Sequence, residues 1–235
     1  GAVLLPVTFA VIDPWRPGPL GVGAARLVAL ADAIGLPHRL ALAGAEVAVR
    51  PPGWSPALGG ERLDAAVAAV PRVDLAGRNL DRALAGYAFF ANAGLDGARM
   101  RAINAPAATF VRASLVGADL AEAELAFADL RDADLAGATL AGADLTRANL
   151  RGACFAGANL LDARLAGADL RGADLAGGLG LGPDQIATAF CDGRTRLPFG
   201  LAPNACGAAS PPSAGSDVDA GNGPADTSFV PPSCS

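Results

Sequence analysis

The chain has 235 residues, a net charge of −5, a single histidine and four cysteines, and all eighteen of its basic residues are arginine. No basic patch offers itself to a phosphate backbone, so direct nucleic-acid binding is not expected. Lone His38 has no positioned partner for acid–base chemistry, no Cys/His cluster has zinc spacing, and Gly21-Val22-Gly23 is too short for a phosphate loop, so no cofactor or catalytic constellation is expected. Abundant Ala, Gly and Arg without Lys points to a GC-rich, bacterial genome more than to a function.

Residues 1–72 do not repeat. The apolar run from Gly1 to Ile12 is shorter than the roughly 20 residues that span a bilayer. It fits a buried strand or core helix, or equally the tail of a transmembrane helix whose remainder precedes Gly1. Ala24 to Ile34 reads as a short helix with Leu27, Leu30, Ala31 and Ile34 on one face. Leu40 to Val49 alternates like a strand, and Leu63 to Val70 reads as a second short helix. The expectation for 1–72 is a small N-terminal cap, with a membrane-proximal position open.

From Leu75 to Leu175 every fifth residue is apolar, nearly always Leu or Phe, over twenty-one frames without an insertion. Two positions earlier stands Ala in almost every frame, as in Ala128-Asp129-Leu130 and Ala143-Asp144-Leu145. A period of five fits neither helix nor strand. A chain that buries the same two positions every five residues turns a corner every five, and four corners close a twenty-residue coil. Gly77, Gly97, Gly117, Gly137, Gly157 and Gly177 recur at that interval, two residues after the large apolar position. Glycine tolerates the positive φ of the third residue of a type II turn, so these six are expected to form one column of corners. Ala85 and Ala105 share one side of the square, with Ile103 supplying volume at a small site. Phe90 and Phe110 share another, where stacking is expected.

The A(D/N)LXX pattern resembles the pentapeptide repeat family over residues 73–177. The resemblance implies an all-β solenoid, a right-handed quadrilateral β-helix, here of about five coils. Its weakest frames are early: Leu84 and Phe89 take outward positions, and Arg99-Met100 and Asn104-Ala105 match poorly. After Gly177-Gly178, Pro183 opens a helix expected over about 184–190, with Ile186, Ala187 and Phe190 over the open end of the last coil. Residues 178–206 look like the family's C-terminal cap, and 207–235, rich in Ala, Pro, Ser and Gly, read as a disordered tail. Cys191 and Cys206 flank the cap loop and are the candidate disulfide; four free thiols is the other reading. Pairing would place the domain in an oxidising compartment, and an extracytoplasmic or membrane-associated location is slightly favoured over the cytoplasm.

Two surface columns stand out as a candidate interaction surface. Arg131, Arg151 and Arg171 each follow their centre by one residue and form either an anion- or partner-binding ladder or an ionic face compensated by Asp129, Asp169 and Asp132. Tyr87, Ala107 and Phe127 follow theirs by two; they mark a docking surface unless the N-terminal segment covers them. The resulting expectation is a non-enzymatic solenoid that binds a protein of unknown identity, with membrane tethering and dimerisation open. The alternative, which the resemblance implies, is a DNA-mimicking modulator of a type II topoisomerase such as gyrase. It draws on ten acids against five arginines over 113–177.

Overall fold

The computed structural model describes residues 55, 59–68, 70, 72–202 and 205–207, together with the two short strands below. Strand β1 (Val7–Ala10) pairs in parallel with β2 (His38–Ala41). The apolar start of the chain therefore contains a strand. The expected strand over 40–49 begins earlier, at His38, and its residues 42–49 lie outside the described residues, as do the expected helix over 24–34 and the tail over 208–235. No helix among the described residues is long and apolar enough to cross a membrane.

From Asp74 onward the chain winds into coils of twenty residues. Asp74 bridges Gly94, Asn79 bridges Arg99, and the same parallel bridge recurs every fifth residue through Asn159↔Leu179. Each coil has four sides of one bridge apiece, as the five-residue beat requires. The large position of every pentad points inward: Leu95, Met100, Leu125, Leu130, Leu135, Leu140 and Phe155 are fully buried, with Ala at the small position beside them. Ile103 and Ala105 are both fully buried, so the large and small residues have exchanged places without opening the core. Phe90 and Phe110 stack with ring centroids 4.8 Å apart and planes 3° from parallel.

The corners are turns of one kind. In each, the amide two residues before a centre donates to the carbonyl of the preceding centre, as Ala133 N does to Leu130 O (3.1 Å) and Ala138 N to Leu135 O (3.0 Å). The residue two after the centre has positive φ at all twenty positions from Gly77 to Gly172. Positive φ at that residue alone identifies a type II turn. Glycine holds the expected column at Gly77, Gly97, Gly117, Gly137 and Gly157, with φ of 62–68°. Gly177 departs from the expectation: it has no left-handed φ. Gly157 N donates to Gly177 O, whereas Gly137 N donates to Ala156 O, so the register slips by one residue there and the turn changes. Glycine is not the determinant either, since eleven of the twenty corners are occupied by other residues.

Helix α1 (Gly60–Ala68) replaces the expected helix over 63–70. It covers a flank, not an end. Leu63 and Val67, one turn apart, pack with Val70 onto Phe89, Ala91 and Val111. Asn92, itself a corner with φ 59°, donates from Nδ2 to Val70 O (2.9 Å) and fastens the incoming chain. Outward Phe89, a poor match to the repeat, is thus core for the N-terminal segment.

At the far end, helix α2 (Pro183–Ile186) is one turn long and stops short of the expected residue 190. Ile186 and Ala189 are fully buried in the main core, while Ala187 is exposed and Phe190 becomes a rung that bridges Asp169. Polar side chains receive the edge groups the last coil leaves open, because unpaired backbone groups at a sheet edge must find partners. Gln185 Nε2 donates to Leu160 O (2.8 Å) and Ala163 O (2.9 Å), and Thr195 Oγ1 donates to Leu170 O (2.9 Å). Asp192 Oδ1 accepts from Gly172 N (2.9 Å) and from the amides of Arg194 and Thr195 (3.0 Å each). Burial raises the Asp192 carboxyl, but these bonds outweigh it and hold it below the ordinary aspartate value.

Candidate functional site

The residue just before each centre faces outward, yet it is not merely a solvated position. Where it is Asp or Asn, its side-chain oxygen in most frames accepts the amide two residues on, at the start of the corner. Asp74 does this for Ala76, Asp134 for Ala136, Asp144 for Thr146, Asn159 for Leu161 and Asp174 for Ala176, at 2.9–3.1 Å. These Asp and Asn residues are therefore structural, because a short side chain with an oxygen acceptor matches an amide at that spacing. Arginines then pair with aspartates at this position, Asp119 with Arg101, Asp144 with Arg164 and Asp174 with Arg196, and Arg99 pairs with Asp81, one residue after its centre. At Asp144 burial raises the carboxyl, and hydrogen bonding from Thr146 with the nearby Arg164 guanidinium (3.3 Å) brings it below the ordinary value.

The expected arginine column does not behave as one surface. Residues one before and one after a centre point to the same side of the pleated backbone, so Asp129-Leu130-Arg131 sets carboxylate and guanidinium side by side. Arg131 Nε donates to Asp129 Oδ1 (2.9 Å) and a terminal nitrogen to Oδ2 (2.6 Å). The pair is buried, Arg131 retaining only 7 % of its accessible surface. Arg131 is thus corrected from a surface group to a buried ionic element. Arg171 forms the same fork with Asp169 (2.8 and 2.6 Å) and is half-buried. Arg151, beside Asn149, is exposed. Along this side the outward pairs run Phe89/Ala91, Thr109/Val111, Asp129/Arg131, Asn149/Arg151 and Asp169/Arg171, grading from apolar beneath α1 to ionic at the far end.

The second column stays at the surface. Tyr87 is 70 % exposed and Phe127 57 % exposed, both at corners with φ of 59° and 61°. Ala107 lies between them, and Gly86, Pro106 and Ala126 precede the three corners, so this edge carries no charge over three successive coils. Arg147, the next corner, places its guanidinium carbon 5.7 Å from the Phe127 ring centroid. A bulky residue in the left-handed region is an outlier that costs energy. The corners of the two neighbouring columns hold Gly, Ala, Asn, Asp, Glu or Arg instead. Pro106 and Ala126 belong to this edge but were not part of the sequence expectation; their alignment requires the twenty-residue register.

Among the described residues the cysteines are joined, not free. Cys191 and Cys206 form a disulfide with Cα atoms 5.9 Å apart. Cys154, at the position just before its centre, is buried and disulfide-bonded. Among the described residues no group of His, Cys, Asp and Glu is placed to hold a metal ion.

A family model described as "Pentapeptide repeats" matches the chain in eight copies, over residues 104–137, 113–152, 128–160 and 143–177. The coil geometry begins thirty residues earlier, at Asp74. No curated protein matches the chain. Among solved structures, the chain is similar to HetL, a pentapeptide repeat protein involved in heterocyst differentiation regulation from Nostoc sp. strain PCC 7120. Identity is 32 %, over 45 % of this chain and 52 % of that one, with a TM-score of 0.32, so the chain spans about half of HetL. Another pentapeptide repeat protein from Nostoc PCC 7120 is 30 % identical over 53 % of this chain and 78 % of that one, TM-score 0.29. QnrB1, a plasmid-mediated fluoroquinolone resistance protein, is 19 % identical over 52 % and 79 %, TM-score 0.41.

Proposed function

The chain belongs to the pentapeptide repeat family, and on that premise we propose that it is a non-enzymatic solenoid that binds a protein partner along its Tyr87–Phe127 edge. The observation that carries this reading is the retention of two exposed aromatic rings at left-handed corners, where glycine would relieve the backbone. Aromatic rings supply contact area at low conformational cost and dominate many interfaces. In this reading the molecule comprises an N-terminal part (1–72), about five right-handed coils (73–177), a C-terminal cap (178–206) and a tail (207–235). The Cys191–Cys206 bond supports residence in an oxidising, extracytoplasmic compartment. Replacing both Tyr87 and Phe127 by Gly tests the function. Capture of the partner should be lost while the fold is retained. Undiminished capture by the folded double variant would remove the reading.

The second reading is a DNA-mimicking modulator of a type II topoisomerase, favoured by the net −5 over 113–177. Against it, Asp119, Glu122, Asp129, Asp144, Asp169 and Asp174 in that stretch stand in ion pairs with arginine, which breaks up the acidic face. A gyrase supercoiling assay separates the two: the interaction reading expects no effect at micromolar protein.

A further inference from the structure

The last of the described rungs is held differently from those before it. Rungs within the coils have a large apolar residue turned inward and a bridge on each side. Among the described residues the chain last returns to the stack at Ala205–Gly207, where Gly207 bridges Phe190 and the small side chains of Ala205 and Cys206 reach the core. Gly207 sits in a tight slot, since an added Cβ would lie 3.0 Å from Ala187 O and 3.2 Å from Thr188 Cα. The covalent anchor of this rung is the disulfide from Cys206 to Cys191, the neighbour of Phe190. Both cysteines are partly exposed.

We propose that the Cys191–Cys206 disulfide is a thiol-operated latch on the C-terminal edge of the solenoid, whose reduction frees the 205–207 rung and uncovers the edge at Phe190 while the coils stay folded. The reductant is a dithiol. One of its thiolates attacks a sulfur of the Cys191–Cys206 bond and expels the other as a thiolate, leaving a mixed disulfide. Its second thiol then displaces the protein sulfur. Two electrons and two protons pass to the cysteines, and the dithiol leaves as a disulfide. Opening remains local because the other fastenings of the cap do not involve sulfur: Ile186 and Ala189 in the core, Gln185 on Leu160 O and Ala163 O, and Thr195 on Leu170 O. Bond closure spans a sequence separation of 15, so its loss returns substantial freedom to the segment.

Hydrogen exchange on the full chain, with and without dithiothreitol, tests the latch. Amides of 188–207 should exchange about tenfold faster after reduction, with those of 110–170 unchanged. Because Cys154 is also disulfide-bonded, the Cys191→Ser/Cys206→Ser variant is measured as well. It should show the fast exchange without reductant and no further response in 188–207 on adding it. Unchanged exchange in 188–207 after reduction, or loss of protection throughout the coils, would overturn the proposal. So would a double serine variant that keeps the slow exchange of the oxidised protein.

Discussion

Two edges of the same solenoid have the same backbone and different occupants. One carries Gly77, Gly97, Gly117, Gly137 and Gly157; the other carries Tyr87, Ala107, Phe127, Arg147 and Gly167. Their φ values are 62–68° and 53–65°. The corner conformation is therefore imposed by the pentad, through its inward residues and the hydrogen bonds between coils, and not by glycine. Glycine only removes the strain, so a large side chain at a corner is an expense retained for another reason. The glycine edge reports on architecture, and the aromatic edge is where the proposed function is placed.

That contrast can be broken from beneath. If inward packing and fixed polar contacts impose the corners, damage there should exceed damage at any corner. Asp129→Ala removes the two-point carboxylate fork from the buried Arg131 guanidinium and should destabilise by about 3–5 kcal/mol in equilibrium denaturation, whereas Asp144→Ala, which removes a pair with an exposed Arg164, should lose its Asx bond and at most about 1 kcal/mol from the ion pair. Leu135→Ala, at a fully buried centre, should cost about 2–5 kcal/mol. Equal small losses in all three would contradict an inside-out origin of the corners.

On the glycine edge, Gly137→Val should cost about 1–2 kcal/mol, less than the core changes. An added Cβ at Gly137 meets nothing nearer than Gly117 N at 4.0 Å, so the penalty is conformational and not steric crowding. A neutral Gly137→Val in thermal unfolding would mean the corner can relax to negative φ.

The smallest effect expected is in acid. Asp192 and Asp144 have folded carboxyls below the ordinary value, so their contribution is complete above the unfolded aspartate value of about 3.9 and is lost as pH falls through the lower folded values. A pH titration followed by exchange at Gly172 and Thr195 should show the cap loosening below about pH 4, with no change between pH 5 and 7. Loosening on the neutral side would assign the effect to other groups.

Much of this architecture can be read from residue types alone. The beat of five identifies the coil because burial must repeat with the geometry, and the twenty-residue glycine spacing counts its sides. The compensation at Ile103/Ala105 and the stacking of Phe90 on Phe110 follow from the same register. What spacing does not disclose is what a polar side chain touches. Gln185 and Thr195 look unremarkable in sequence, since their partners Leu160 O, Ala163 O and Leu170 O are backbone groups on another coil. Arg131 and Arg151 occupy equivalent frames, but one is buried beside Asp129 and the other exposed beside Asn149. Gly177 matches its column in sequence and leaves it in conformation, because the register slip arises from the chain that follows. For the proposed interaction edge, Tyr87 and Phe127 are legible by spacing, while their exposure depends on where α1 packs, which is the neighbouring side at Phe89 and Val111.

The most direct test is a reciprocal exchange, Phe127→Gly together with Gly137→Phe, read as the free energy of equilibrium unfolding. If the corners share one backbone and their side chains are discretionary, the aromatic ring moves to the other edge and stability stays within about 1 kcal/mol of the parent, the lost cation–π contact with Arg147 being of that size. A loss of more than about 3 kcal/mol, comparable to a core deletion, would show that the two edges are not equivalent and that glycine is required where it stands.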